Sequence, residues 1–126
     1  MILPADIEYI IAQSMGDIPA GPPPVPAGMV PPYVVIWRTG GDRYGLVIDR
    51  NLVSIDVYAE DWGAAVELAG RSVGAVAGMQ GEVCEGVQIG AVTITTLPYT
   101  NPDPNNPTIP RVTFAAEIIS KAITTE

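Results

Sequence analysis

Residues 53–78 read VSIDVYAEDWGAAVELAGRSVGAVAG, and the change of period inside this stretch decides the fold. Its first part alternates. Val53, Ile55 and Val57 fall on one side of an extended chain and Ser54, Asp56 and Tyr58 on the other, which is the period of a strand with one apolar face. From Asp61, whose short carboxylate suits an N-cap, the period lengthens. Trp62, Val66, Ala69, Val73 and Val76 follow at steps of 4, 3, 4 and 3, predicting an amphipathic helix over about 61–79 with those residues on its apolar face. Gly70, Gly74 and Gly78 recur at every fourth position, and each costs roughly 1 kcal/mol against alanine inside a helix. Close backbone packing against a sheet or a neighbouring subunit is expected to offset that cost.

Outside this unit the prolines set the limits. All thirteen lie at positions 4–32 or 98–110, leaving Tyr33 to Leu97 as the regular core. YVVIWRT at 33–39 is β-branched and aromatic and reads as a strand, whereas GGDRYG at 40–45 reads as a loop between strands. VQIGAVTITTL at 87–97 is a strand whose glycine predicts a bulge or a close approach, and a final strand covers about 111–120. Pro4, Asp6 and the apolar Ile7, Ile10 and Ile11 predict a short N-terminal helix over about 4–15. Residues 16–32 form a proline-rich linker, expected to cross a surface without pairing, and 98–110 form a proline-rich loop. The sum is one α+β domain over 1–126: a sheet of about four strands, mostly antiparallel or mixed, packed by one main helix and a short N-terminal one.

Charge and residue inventory narrow the function. A formal charge of −8 with six scattered basic residues disfavours autonomous nucleic-acid binding and anionic membranes. The span from Ile18 to Trp37 is uncharged but holds seven prolines, which no membrane helix tolerates. The first residues lack a positive n-region and read as helix rather than as a signal peptide. Cys84 has no second cysteine, and its neighbours Glu82 and Glu85 disfavour a thiolate, so a structural role is expected. Without histidine there is no Ser-His-Asp or Cys-His centre and no histidine metal site. GGDRYG lacks the lysine and threonine of a phosphate-binding loop. Asp42, Asp49 and Asp56 recur every seventh residue, match no calcium-loop template, and are expected to be solvated surface. No catalytic, cofactor-binding or metal-binding residue is therefore expected.

An interaction surface is a better fit to the mixed aromatic and charged run of Trp37, Asp42, Arg43 and Tyr44. The order of the pieces resembles tail terminator proteins of long-tailed bacteriophages of actinobacteria. In that pattern a proline-rich approach leads to a strand ending in Arg-x-Gly-Gly, here Arg38, Thr39, Gly40 and Gly41. A second strand, here Ile55, Asp56, Val57, Tyr58 and Ala59, then opens an alanine-rich helix. The resemblance spans about 4–120 and rests on order and spacing. It implies a virion protein, made in the host cytoplasm, that forms a hexameric ring at the head-proximal end of the tail. Its implied partners are further copies of itself, the tail tube protein and the head-tail connector or stopper proteins. Genomic DNA would pass through the ring without specific binding. Expected contacts with a neighbouring subunit or the tube are Trp37, Arg38, Asp42, Arg43, Tyr44, Tyr99, Pro102, Asp103, Pro104 and Arg111, with Leu97 to Pro110 as a protruding arm. Another connector or head-completion protein, a small carboxylate enzyme and a strand-addition binding module are the alternatives.

Overall fold

The computed structural model of the chain describes residues 1–124. Its elements are β1 (Ile2–Leu3), α1 (Ile7–Ser14), β2 (Ala20–Gly21), β3 (Tyr33–Tyr44), β4 (Ile48–Tyr58), α2 (Trp62–Ala77), β5 (Val83–Cys84), β6 (Val87–Thr100), β7 (Arg111–Lys121) and β8 (Ile123–Thr124). This is a small α+β domain, two helices on a mixed sheet. The sheet runs β2-β3-β4-β7-β6-β5, and β1 and β8 form a separate antiparallel pair. The four expected strands are the long ones, β3, β4, β6 and β7; β2 and β5 add two residues at each margin.

The alternation in β4 places its odd residues inward. Val57 lies opposite Val34 and Val112, and Ile55 opposite Ile36 and Phe114, so β3, β4 and β7 contribute to one apolar face. These six side chains are almost entirely buried, and each contributes about 1.5–3 kcal/mol through burial. The helices close that face. Ile7, Ile10 and Ile11 of α1 and Ala65, Leu68, Ala69 and Val76 of α2 belong to the same core. Both helices start on an aspartate: Asp6 accepts from the Tyr9 N–H at 3.2 Å and Asp61 from the Ala64 N–H at 2.8 Å.

The inward face of α2 is turned from the expected one. Trp62 and Val66 are 43% and 59% exposed, while Ala65, Leu68, Ala69, Ser72 and Val76 are buried. Small side chains bring the helix close to the sheet, and Ser72 enters because its hydroxyl donates to the Leu68 carbonyl at 2.8 Å. Gly70 and Gly74 look outward, with open space where a Cβ would stand, so no tight packing within the domain compensates them.

The expected loop at 40–45 is instead the second half of β3. A bulge between Arg38 and Gly40 absorbs one residue, after which Asp42 lies opposite Arg50 and Arg43 opposite Asp49. Gly41 is required there: at φ +137° a side chain is strained, and a Cβ would run into the Arg50 carbonyl. The turn falls at 45–47, where Gly45 takes φ +57°. The expected irregularity in β6 is present, since the β6–β7 register shifts between Ile89 and Val92 and a Cβ on Gly90 would meet Ile119 at 3.2 Å.

Both proline-rich segments are more tightly held than expected. Ala20 and Gly21 pair in parallel with Val34 and Val35, so the linker does pair. Pro98 and Tyr99 belong to β6, and the remaining loop, 101–110, folds onto the sheet with Asp103 only 6% exposed; it is not a protruding arm.

Candidate functional site

The even-numbered residues of β4 face away from the helices. Asp56 lies opposite Thr113, which lies opposite Tyr99, and Tyr58 lies opposite Arg111. Among the described residues no helix covers this side, yet Asp56, Tyr58 and Thr113 are buried. The cover is the loop at 101–110 together with Pro24 and Val25 of the linker, which border a recess of about 410 Å³ with Trp37, Tyr58, Asp103 and Arg111.

Beneath that cover the polar groups are matched. Asp56 accepts from the Trp37 indole N–H at 3.1 Å and from the Thr113 hydroxyl at 2.8 Å. Asp103 accepts from the Tyr58 hydroxyl at 2.7 Å, the Asn106 side-chain amide at 3.0 Å and the Asn105 backbone N–H at 2.9 Å. The Arg111 guanidinium sits between the two carboxylates, 3.7 Å from Asp56 and 3.9 Å from Asp103, and donates from Nε to the Asn101 carbonyl at 2.6 Å. It also lies 6.0 Å from the centre of the Tyr58 ring. Burial, then the hydrogen bond to Asp103, pushes the Tyr58 hydroxyl up to about 12. The Asn106 amide, and after it Tyr58 and the Asn105 N–H, holds Asp103 below the usual carboxylate range despite burial. No buried side-chain polar atom among the described residues lacks a partner. This constellation is a latch that fastens the loop to the sheet.

A second constellation lies along the β3–β4 hairpin. Arg43 grips Asp49 with both Nε and Nη2, and Arg50 reaches Asp42 at 2.8 Å and Glu117 at 3.9 Å. The guanidinium of Arg43 lowers Asp49, and Asp49 in turn raises Arg43. Asp49 and Asp56 are therefore buried and arginine-paired rather than solvated; Asp42 is half exposed, as expected. The three acids do not converge on one another. Arg38 serves the interior: Glu8 accepts from its backbone N–H at 2.9 Å, and its guanidinium donates to the Ala5 carbonyl at 2.7 Å.

Exposed large apolar side chains of the sheet gather in two groups toward the ends of the long strands, apart from the single exposed Trp37 and Val83. Tyr44, Leu46 and Ile48, at 50%, 75% and 37%, form the hairpin tip; Leu97 and Tyr99, at 73% and 47%, lie near the end of β6. The structure thus gathers Trp37, Asp103 and Arg111 at the latch and Asp42, Arg43 and Tyr44 on the hairpin. Pro102 and Pro104 are exposed on the loop. Leu46 and the latch role of Tyr58 escaped the sequence reading, whereas Leu97 is expected there as the start of the arm. A signal for Tyr58 was present, because the even face of β4 carries Asp56 and Tyr58 and had been given no helix to cover it.

Among the described residues, no group of three or more acids or cysteines is placed to hold a metal ion, and no helix is long and apolar enough to cross a membrane. A scan of protein-family models and a search of curated proteins gave no match to the chain.

Proposed function

We propose that this chain is a structural assembly subunit that forms a ring, of the tail-terminator type its sequence resembles. The observation that carries the reading is the pair of exposed apolar surfaces, the hairpin tip at Tyr44, Leu46 and Ile48 and the strand end at Leu97 and Tyr99. Large apolar groups held on strands and on the turn between them suit contacts between proteins, and two different surfaces on one chain suit head-to-tail association, which closes rings. The ionised side chains support the same reading. Asp42, Asp49, Asp56 and Asp103 each lie against an arginine, which spends their charge on holding strands and loop in place.

In this role the ring caps the head-proximal end of the tail tube and joins it to the connector, while its net negative charge favours passage of DNA over adhesion. The test is the tail-length distribution by electron microscopy in lysates made with and without the protein. Overlong, headless tubes in its absence are expected. Tails of normal length that fail to join heads would move the protein to a connector role, and intact particles would end the structural reading.

A further inference from the structure

Resting on that assembly reading, we propose that copies of the chain join edge to edge. The outer edge of β6 in one copy pairs antiparallel with the outer edge of β3 in the next, so that the sheet runs continuously from subunit to subunit.

Each edge is partly occupied, and the occupied parts define what is left. On β6, β5 pairs with Val87 and Gln88, the Gly81 N–H donates to the Gly90 carbonyl, and the Gln80 side chain accepts from the Val92 N–H at 3.1 Å. From Thr93 to Leu97 no described residue bonds the outward backbone. A register shift between Ile94 and Thr96 falls inside this run, and Pro98, which has no donor, together with the shift between Thr96 and Tyr99, ends it. On β3, β2 pairs with Val34 and Val35, and Glu8 takes the Arg38 N–H; from Thr39 to Tyr44 the outward backbone again has no described partner. Two open runs of similar length remain, one at each side of the same sheet, and such edges are templates for pairing.

Strand direction makes them complementary. The long strands β3, β4, β7 and β6 are each antiparallel to the next, so β3 and β6 run in opposite senses. Copies in the same orientation therefore meet as an antiparallel pair, the arrangement with the straighter hydrogen bonds. Position along the strands sets the shape. Thr96 is level, through Ala115 and Ser54, with Trp37, whereas the open run of β3 is centred beyond the bulge. The offset is about four residues, roughly 13 Å, over four strands that span roughly 19 Å. Matching the edges then inclines the strands by about 35°, within the range that closed barrels adopt. A stagger of this size favours closure into a ring over a flat ribbon.

The test is disulfide trapping in the full chain carrying Cys84→Ser. Thr95→Cys or Thr96→Cys is combined with Thr39→Cys or Asp42→Cys, with circular dichroism to verify folding. Under mild oxidation at least one double variant is expected to give a ladder of covalent multimers, with every single variant remaining a covalent monomer. Covalent dimers from Thr95→Cys or Thr96→Cys alone would show β6 meeting β6 and overturn the proposal. Folded double variants that never cross-link, whatever mass the protein then has by light scattering, would also overturn it. Tail-length measurement separates this failure from failure of the functional reading. A ladder with unaltered tail lengths keeps the edge pairing and removes the terminator role; controlled lengths without a ladder do the reverse.

Discussion

The Tyr58 hydroxyl donates to the Asp103 carboxylate across 2.7 Å, fastening the end of β4 to a loop 45 residues further along the chain. Both groups are buried, at 1% and 6% exposure, although no helix of the described residues lies on that side of the sheet. The contact gives a proline-rich loop one fixed position, and with Arg111 it explains how Asp56 stays buried on a sheet face without a second layer.

Alkaline pH is expected to open this latch. The Tyr58 hydroxyl is raised to about 12, first by burial and then by Asp103. A raised value means that its contribution is complete below the unfolded tyrosine value of about 10 and is lost as pH rises toward about 12. The stability at stake is on the order of 2–3 kcal/mol. Urea midpoints measured through this range should fall for the parent chain and fall less for Tyr58→Phe; equal slopes would remove Tyr58 as the titrating group.

Acid acts on different groups. Asp103, lowered chiefly by Asn106, and Asp49, lowered chiefly by Arg43, both have folded values below the unfolded one. Their contributions are present above about pH 4 and disappear as pH falls through the lower folded values. Asp103→Asn keeps the shape without the charge, so its acid limb should be shallower than the parent's in urea titrations. Identical limbs would assign acid sensitivity elsewhere.

Arg111 stands between Asp56 and Asp103, and its own side chain is 15% exposed. Arg111→Met keeps the apolar stem but leaves two buried carboxylates without their cation, which should cost about 3 kcal/mol. Adding Asp56→Asn to that variant should recover part of the loss, because one unpaired charge is then gone. A double-mutant cycle in denaturant checks this; strict additivity would mean that Arg111 and Asp56 do not interact.

The glycines of α2 and β3 should respond with opposite signs. Gly70 and Gly74 face open space in a helix, so Gly70→Ala and Gly74→Ala should each stabilise the fold by about 0.5–1 kcal/mol. Gly41→Ala should destabilise it, because the added Cβ meets the Arg50 carbonyl at a positive φ. Thermal melts of the three variants decide the matter. If the α2 variants instead fold normally and fail to assemble, the glycine stripe is a contact between subunits.

The regular core was legible in the sequence because periodicity is a local property. The odd face of β4, the caps at Asp6 and Asp61 and the glycine irregularity in β6 all follow from neighbouring residues. What failed depended on partners distant in the chain. GGDRYG carries three glycines and two charges and reads as a loop, yet its Asp42 and Arg43 are mirrored about the turn by Arg50 and Asp49. The α2 stripe follows from a spacing of 4, 3, 4 and 3, but the face the helix buries also takes in Ala65, Leu68 and Ser72 and leaves Trp62 and Val66 outside. The latch was not legible as a unit, since its residues come from β3, β4, β7 and the loop between β6 and β7, and only the topology brings them together.

The hairpin tip offers a direct test of assembly that leaves the fold alone. Leu46 is 75% exposed and Tyr44 is 50% exposed, so neither has much burial to lose within one subunit. Leu46→Ser and Tyr44→Ser should therefore change the urea midpoint of the monomer by no more than about 0.5 kcal/mol equivalent. Arg43→Ala is a poorer probe, because it strips the buried Asp49 of its partner and mixes folding with association. If the tip docks on a neighbouring subunit or the tube, the serine variants lose that apolar contact and should assemble more weakly by sedimentation or by tail capping. A loss of monomer stability well above that limit would show that the tip packs within its own chain. Unchanged stability together with unchanged assembly would leave the strand edges and the Leu97–Tyr99 surface to account for association.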